Sequence, residues 1–150
     1  LVSDGADAAL VKALMDAVKA ADALCEVIAP KIGGATLSDG TLLPAQQKID
    51  GGPSVLYDAV AVIVSDEGAA LLSKDAPSKD FVADAFAHCK FMGLSPEAKP
   101  LLVKAGIAED LDDGCMGLQS ADDAKAFVAA LGPLRFWDRE SKVDLDAMTD

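Results

Sequence analysis

The chain has 150 residues, 51% hydrophobic and 25% charged, a size and balance typical of one globular domain. Its 13 Lys and Arg against 25 Asp and Glu give a net charge of −12, and nucleic acid and anionic membranes would repel so acidic a chain. No apolar run approaches the roughly 20 residues that span a bilayer, and no secretory signal opens the chain. We therefore expect a soluble protein, cytoplasmic rather than secreted.

The first 30 residues predict the opening of a βαβ unit. The start, LVSDGADAALV, is typical of a strand end, a turn and a helix start, so we expect a fragment that begins within its first strand. Apolar residues recur at helical spacing from Asp7 to Ala21, with Asp7 near the amino-terminal cap. Residues 24–30 are apolar and β-branched and end at a proline, which predicts the next strand.

The middle of the chain predicts a hairpin and then a central strand. Residues 33–57 are rich in glycine and indicate a small β-hairpin, turning at Asp39-Gly40 and inserted in the crossover. Residues 58–66 are nearly all Val, Ala and Ile, a composition that favours a strand covered on both faces of a parallel sheet. Helical patterns follow at 67–73 and 78–89, the second with Pro77 and Ser78 as its start signal.

The last third continues the alternation of strands and helices. We predict a strand at 90–95, a helix at 96–105, a weak strand within 112–120 and a helix over 120–132 that opens with a serine cap and stops at a glycine. The tail is polar after Trp137 and is expected to be either a packed or a frayed extension.

This element order predicts one α/β domain over residues 1–150, a flavodoxin-like three-layer sandwich with a mostly parallel sheet and an inserted hairpin. Such sheets place their sites at the carboxyl ends of the strands, here near Ser3-Asp4, Ser65–Glu67 and Gly93–Ser95. Serines and carboxylates at strand ends also serve loops and helix caps, so these groups alone do not define chemistry.

Other kinds of site lack the residues they need. The first turn, SDGADA, has one glycine and two acids, which disfavours a phosphate-binding loop. Cys25, Cys89 and Cys115 share no zinc-site or disulfide-framework spacing, and we expect buried free thiols. The single histidine, His88, falls at a helix end away from the site loops, where a contact with the helix carboxyl terminus is its expected role. We predict no catalytic, cofactor-binding or metal-binding residues.

Three stretches carry a family resemblance: LVSDGAD, DGTLLPAQQKIDGGPSVLYDAVAVIV and RFWDRESKVD. Together they resemble the C-terminal domain of the large-subunit, clade 2 haem catalases of bacteria and fungi, over nearly the whole chain. The resemblance implies a parent that dismutates hydrogen peroxide with haem in a separate upstream core. The single Tyr57 and single histidine do not match the haem ligands of that core, so we expect no haem in this domain.

The resemblance further implies a non-catalytic domain that stabilises, folds or assembles a tetrameric parent. Its partners would be the catalase core and sister subunits. A chaperone-like variant would instead act on unfolded client proteins, for which exposed apolar grooves would be required.

The domain is also similar to the DJ-1/PfpI and class I glutamine amidotransferase superfamily, whose nucleophile is a cysteine in a strand-to-helix elbow. Its cysteine aligns with about Gly93 in FMGLSP, and its supporting acid with about Ala9. The resemblance thus implies a vestigial elbow at Gly93, Leu94 and Ser95, in which Ser95 is a helix cap. A residual thiol or serine activity is the alternative, which would require an activated cysteine or hydroxyl.

Overall fold

Leu1–Ser3 lies inside a parallel sheet in the computed structural model, which describes residues 1–144. The Val2 amide donates to the carbonyl of Ile28 (2.9 Å) on one side, and the Ile63 amide donates to the carbonyl of Leu1 (3.0 Å) on the other. Val2 pairs with Ile63 in parallel. This confirms that the first segment is internal to the sheet.

The other parallel strands flank that segment. They are β1 (Ile28–Ala29), β4 (Gln47–Lys48), β5 (Val60–Val62), β6 (Met92–Leu94) and β7 (Cys115–Gly117). Their pairing gives the order β4, β1, residues 1–3, β5, β6, β7. The strand predicted within 58–66 is therefore central, as expected from its apolar composition.

Helices cover both faces of this sheet. They are α1 (Ala8–Ala20), α2 (Asp66–Leu72), α3 (Ala76–Ala87), α4 (Lys99–Ala105), α5 (Ala121–Ala129) and the short α6 (Glu140–Val143). Helices α1 and α5 pack together on one face, while α3 packs on α4 and α4 on α2. A hydrophobic cluster fills each interface between helices and sheet. The predicted flavodoxin-like three-layer sandwich is confirmed. No helix in residues 1–144 combines the length and apolarity needed to cross a bilayer.

The inserted hairpin also forms. Strands β2 (Ala35–Thr36) and β3 (Leu42–Leu43) pair in antiparallel fashion. Gly40 has a φ of +86°, which is easily reached by glycine, so the turn falls at the predicted place. The strand predicted over 24–30 is much shorter: only Ile28–Ala29 pair, and the Leu24 side chain is 99% exposed.

Local capping fixes the helix starts. Asp7 accepts a hydrogen bond from the Leu10 amide (2.9 Å), as the sequence predicts for α1. Helix α3 begins at Ala76, two residues before the predicted 78–89, and Pro77 lies in its first turn as expected of a start signal. The cap is Asp75, whose carboxylate accepts from both the amide and the hydroxyl of Ser78.

The carboxyl-terminal tail is packed, not frayed, through Val143. Arg139 is fully buried, and its guanidinium donates to both carboxylate oxygens of Asp112 (2.7 and 2.8 Å). It also donates to the carbonyls of Phe86 (3.2 Å) and Lys90 (2.9 Å) and lies 4.4 Å from the centre of the Phe86 ring. The predicted helix over 120–132 ends earlier, at Ala129.

Candidate functional site

A cavity of about 420 Å³ lies at the carboxyl ends of the strands, where the sequence places a site. The loops after residues 1–3, β5, β6 and β7 all contribute to it. Its polar lining includes Asp7, Ser38, Ser65, Asp66, Ser95 and Gln119. The fold therefore brings loops from distant parts of the chain to one edge, as expected for an open parallel sheet.

The hydroxyl groups at this edge are hydrogen-bonded to backbone. The Ser3 hydroxyl accepts from the Ser65 amide (3.2 Å), and the Ser65 hydroxyl donates to the Asp4 carbonyl (2.6 Å). Ser65 also caps α2 by accepting from the Gly68 amide (3.0 Å). These contacts hold adjacent loops together, which is a structural use of the predicted polar groups.

Asp4 is likewise engaged by its neighbours. Its carboxylate accepts from the Thr36 amide (2.9 Å) and forms an ion pair with Lys31. The hydrogen bond from the Lys31 ammonium holds the pKa of the Asp4 carboxyl below its usual range. A carboxylate stabilised in its charged form is poorly suited to accept a proton in general base catalysis at neutral pH.

Gly93 does not stand at the strand-to-helix turn. It pairs with Ala61 and Met116 in the middle of β6. A Cβ atom at this position would lie 2.7 Å from Cδ1 of Leu118 and 3.3 Å from Cδ1 of Phe127. The space for a side chain is therefore already filled by the core, and a thiol would require those two residues to move.

The turn itself falls on Ser95, which is 4% exposed. Its φ of −69° and ψ of 151° are ordinary extended values, without the strain of a nucleophile elbow. Ser95 stands at the predicted cap position, directly before the 3-10 helix Pro96–Ala98. Its hydroxyl makes no cap hydrogen bond, however, and instead accepts from the Val64 amide (3.2 Å) on the neighbouring strand. Leu94 is buried in β6, and Ala9 is an exposed position in α1.

The three cysteines lie elsewhere. Cys89 is buried, Cys115 is half-buried and Cys25 is exposed, so the prediction of three buried thiols is wrong for Cys25. Desolvation raises the pKa of each thiol, whereas an activated nucleophile needs a lowered pKa. None of the three lines the 420 Å³ cavity. The residual thiol activity considered above gains no support from these positions.

The environment of Tyr57 does not fit a haem ligand. The Tyr57 hydroxyl donates to Glu26 (2.7 Å), and desolvation together with this bond raises its pKa to about 12. Haem ligation by tyrosine needs the opposite shift, because the ligand is the deprotonated oxygen. His88 is exposed at the carboxyl-terminal cap of α3, at the opposite edge of the sheet from the cavity. Across residues 1–144 no group of three His, Cys, Asp or Glu side chains could hold a metal ion.

Sequence reasoning missed two buried cations near that opposite edge. One is Arg139, which is fully buried, and the other is Lys90, two residues before β6. Lys90 is 1% exposed, and its ammonium donates to the Ser54 carbonyl. A lysine directly before the apolar run FMGL was the available signal. Neither cation lines the 420 Å³ cavity at the carboxyl ends of the strands.

Solved structures place the fold in a known class. The chain matches oxidised DJ-1 of Toxoplasma gondii with a TM-score of 0.73 and 13% identity, covering 98% of this chain and 94% of that one. It matches DJ-1beta of Drosophila melanogaster with a TM-score of 0.72 and 12% identity, covering 99% and 94%. At such identities the likeness shows the fold alone, and that fold is the one seen in DJ-1.

Within that class, the chain belongs to the family described as the C-terminal domain found in long catalases, which it matches over residues 1–141. Catalase C of Rhizobium meliloti is 53% identical over 145 residues, covering 97% of this chain and 21% of the relative. Catalase HPII of Pseudomonas putida is 32% identical over 147 residues, covering 96% and 20%. The chain thus spans about a fifth of the length of these curated relatives.

Proposed function

We propose that this chain is the non-catalytic C-terminal domain of a haem catalase and that it stabilises the native parent protein. The parent would dismutate hydrogen peroxide in a core that precedes this domain. The observation that carries the proposal is the lack of a nucleophile at this turn. The resemblance aligns the cysteine with Gly93, whose side-chain space is occupied by Leu118 and Phe127. The turn itself carries Ser95 in ordinary extended geometry.

The proposal assigns all haem chemistry to the core. The Tyr57 hydroxyl donates to Glu26 and has a raised pKa, which disfavours ligation of haem iron by its deprotonated oxygen. His88 lies exposed at the carboxyl-terminal cap of α3, away from the cavity at the carboxyl ends of the strands. Contact with the core then remains as the contribution of the domain. Contacts between domains stabilise a native assembly because they are lost on unfolding, and such interfaces commonly cover roughly 600–1,500 Å².

The same contacts would assist folding and the assembly of sister subunits. Large apolar side chains on the surface support an interaction role, since Val55 is 60% exposed, Leu56 63% and Trp137 62%. Chaperone-like binding of unfolded clients would use the same kind of surface. We favour the stabilising role because the domain occurs in long catalases, where a neighbouring core is present in the same chain.

The test compares the full-length parent with a parent that ends before Leu1. We expect truncation to lower the temperature of half-inactivation and the recovery of assembled protein. Turnover per haem-loaded site should change little. Full thermal resistance and assembly after truncation, with turnover lost per haem, would contradict the stabilising role and favour a role in peroxide access to the core.

A further inference from the structure

A second surface lies at the amino-terminal edge of the sheet, opposite the cavity described above. A cavity of about 360 Å³ opens there, and its lining includes the acidic residues Glu140 and Asp144 as well as Val55, Lys90, Arg135 and Trp137. We call the last four residues, together with Leu56, the amino-edge surface. Segments 54–58 and 134–139 meet here, because Arg135 donates to the Asp58 carbonyl (3.0 Å).

The apolar part of this surface has no covering element in residues 1–144. Val55, Leu56 and Trp137 each expose about three-fifths of their side chains, although Val55 and Trp137 face one cavity. Tryptophan and arginine together, beside exposed aliphatic residues, are the composition typical of the centre of a protein–protein interface.

Lys90 lies at the bottom of the surface. Its side chain is 1% exposed, and its ammonium donates to the Ser54 carbonyl. No ion pair to Lys90 forms within residues 1–144, but the negative charges of Asp58 and Asp84 favour its charged form. Because Glu140 also lines the cavity, the surface carries charges of both signs.

The position of Leu1 indicates which partner reaches this edge. Relatives of this chain carry about four-fifths of their length outside the matched region, and the family is a C-terminal domain. Val2 pairs in parallel with Ile63, so a chain preceding Leu1 would run back alongside β5 and emerge near Asp58. Asp58 is joined to Arg135, so that chain would emerge beside the amino-edge surface.

We propose that the amino-edge surface docks on the catalase part that precedes this domain in the same chain, through the exposed side chains of Val55, Leu56 and Trp137. This inference rests on the proposed function, since it names the surface through which the domain would contact its core. An apolar face of the core would complement these side chains, because the charges around them have both signs.

Hydrogen–deuterium exchange of the full-length parent tests the docking directly. The amides of residues 54–58 and 134–139 are compared in the wild type, in a Val55→Asp/Trp137→Asp double variant and in an Ile32→Asp control. Ile32 is 82% exposed and adjoins Lys31, which pairs with Asp4 at the opposite edge. We expect exchange to accelerate at least ~10-fold in the double variant and to stay unchanged in the control, because docked segments exchange by local opening.

Equal exchange in all three proteins, or equal acceleration in the control, would overturn the proposal. The amides of β6 report whether the domain stays folded; if the double variant unfolds, Val55→Ser replaces it with the same expected direction. A different result would be unprotected amides at 54–58 and 134–139 in the wild type, with the parent protein suppressing the aggregation of an unfolded client. That result would assign the surface to client binding and overturn docking on the core.

The truncation experiment separates this inference from the proposed function. Protection of 54–58 in a parent whose truncated form keeps full thermal resistance would uphold the docking and reject the stabilising role. If thermal resistance depends on the domain but residues 54–58 show no protection, the stabilising role would be upheld and the docking rejected.

Discussion

Arg139 is the residue on which the carboxyl-terminal tail depends. Its fully buried guanidinium bonds Asp112 and two backbone carbonyls and packs on Phe86. Substitution of Arg139 by Met leaves the Asp112 carboxylate largely buried without its cation. We expect a loss of about 3–5 kcal/mol in the free energy of unfolding, measured by urea denaturation.

Arg135→Met is the matched control for that prediction. The Arg135 guanidinium lies 3.7 Å from the carboxylate of Asp58, whose side chain is 78% exposed. Ion pairs this exposed contribute less than about 1 kcal/mol to the free energy of unfolding. A similar loss in the two variants would show that burial of the Arg139 network is not the cause.

Gly93 permits a second prediction at the residue scale. A methyl group here would lie 2.7 Å from Leu118 Cδ1, so Gly93→Ala should destabilise the domain by about 1–3 kcal/mol through overpacking. In the Leu118→Ala background the same change should cost much less, which a double-mutant cycle measures. Additive effects would mean that Leu118 is not the obstacle to a side chain at position 93.

At the scale of single elements, capping decides where α3 begins. Asp75 accepts two hydrogen bonds from Ser78 at the helix start. Asp75→Ala should therefore lower the free energy of unfolding by about 1 kcal/mol. Asp80→Ala, which changes an exposed carboxylate in the same helix, should stay within about 0.5 kcal/mol. Equal effects of the two substitutions in denaturant titrations would argue against the cap.

Element boundaries also show where local pattern is insufficient. The apolar run over 24–30 predicts a strand, yet Leu24 is almost fully exposed and pairing starts at Ile28. Strand length is set by the neighbouring backbone that offers hydrogen bonds, and those partners come from residues 1–3 and 47–48. The hairpin turn, in contrast, was predictable because Gly40 requires only local conformation.

At the scale of the whole molecule, the sheet buries the backbone nitrogen of Leu1, which donates to the Ala61 carbonyl (2.7 Å). In a protein that starts at Leu1, desolvation lowers the pKa of this amine from 8.0 to about 5. The unfolded chain then binds more protons than the folded one between pH 5 and pH 8. Stability should therefore rise with pH across this window, by as much as ~4 kcal/mol.

Urea denaturation at several pH values checks this expectation. A matched protein that carries additional residues before Leu1 has an amide in place of the amine and should lack the rise. The same rise in both proteins would mean that another group is responsible for it.

The sequence by itself determined the three-layer fold, the hairpin, the internal position of Leu1–Ser3 and the edge at which the polar loops meet. It could do so because hydrophobic periodicity, turn residues and right-handed crossovers act through local rules. Family resemblance aligns the nucleophile with about Gly93, which lies within β6, whereas the turn falls at Ser95.

Only the tertiary structure decided how the polar and charged residues are used. It showed that Leu118 and Phe127 fill the space at Gly93, that Arg139 joins the tail to Asp112, and that Lys90 is buried at the amino-edge surface. These facts depend on residues far apart in the chain, since burial and charge compensation are properties of a three-dimensional neighbourhood. The sequence does not show whether a lysine or arginine is exposed to solvent or buried, because its environment is set by residues that are distant in the chain.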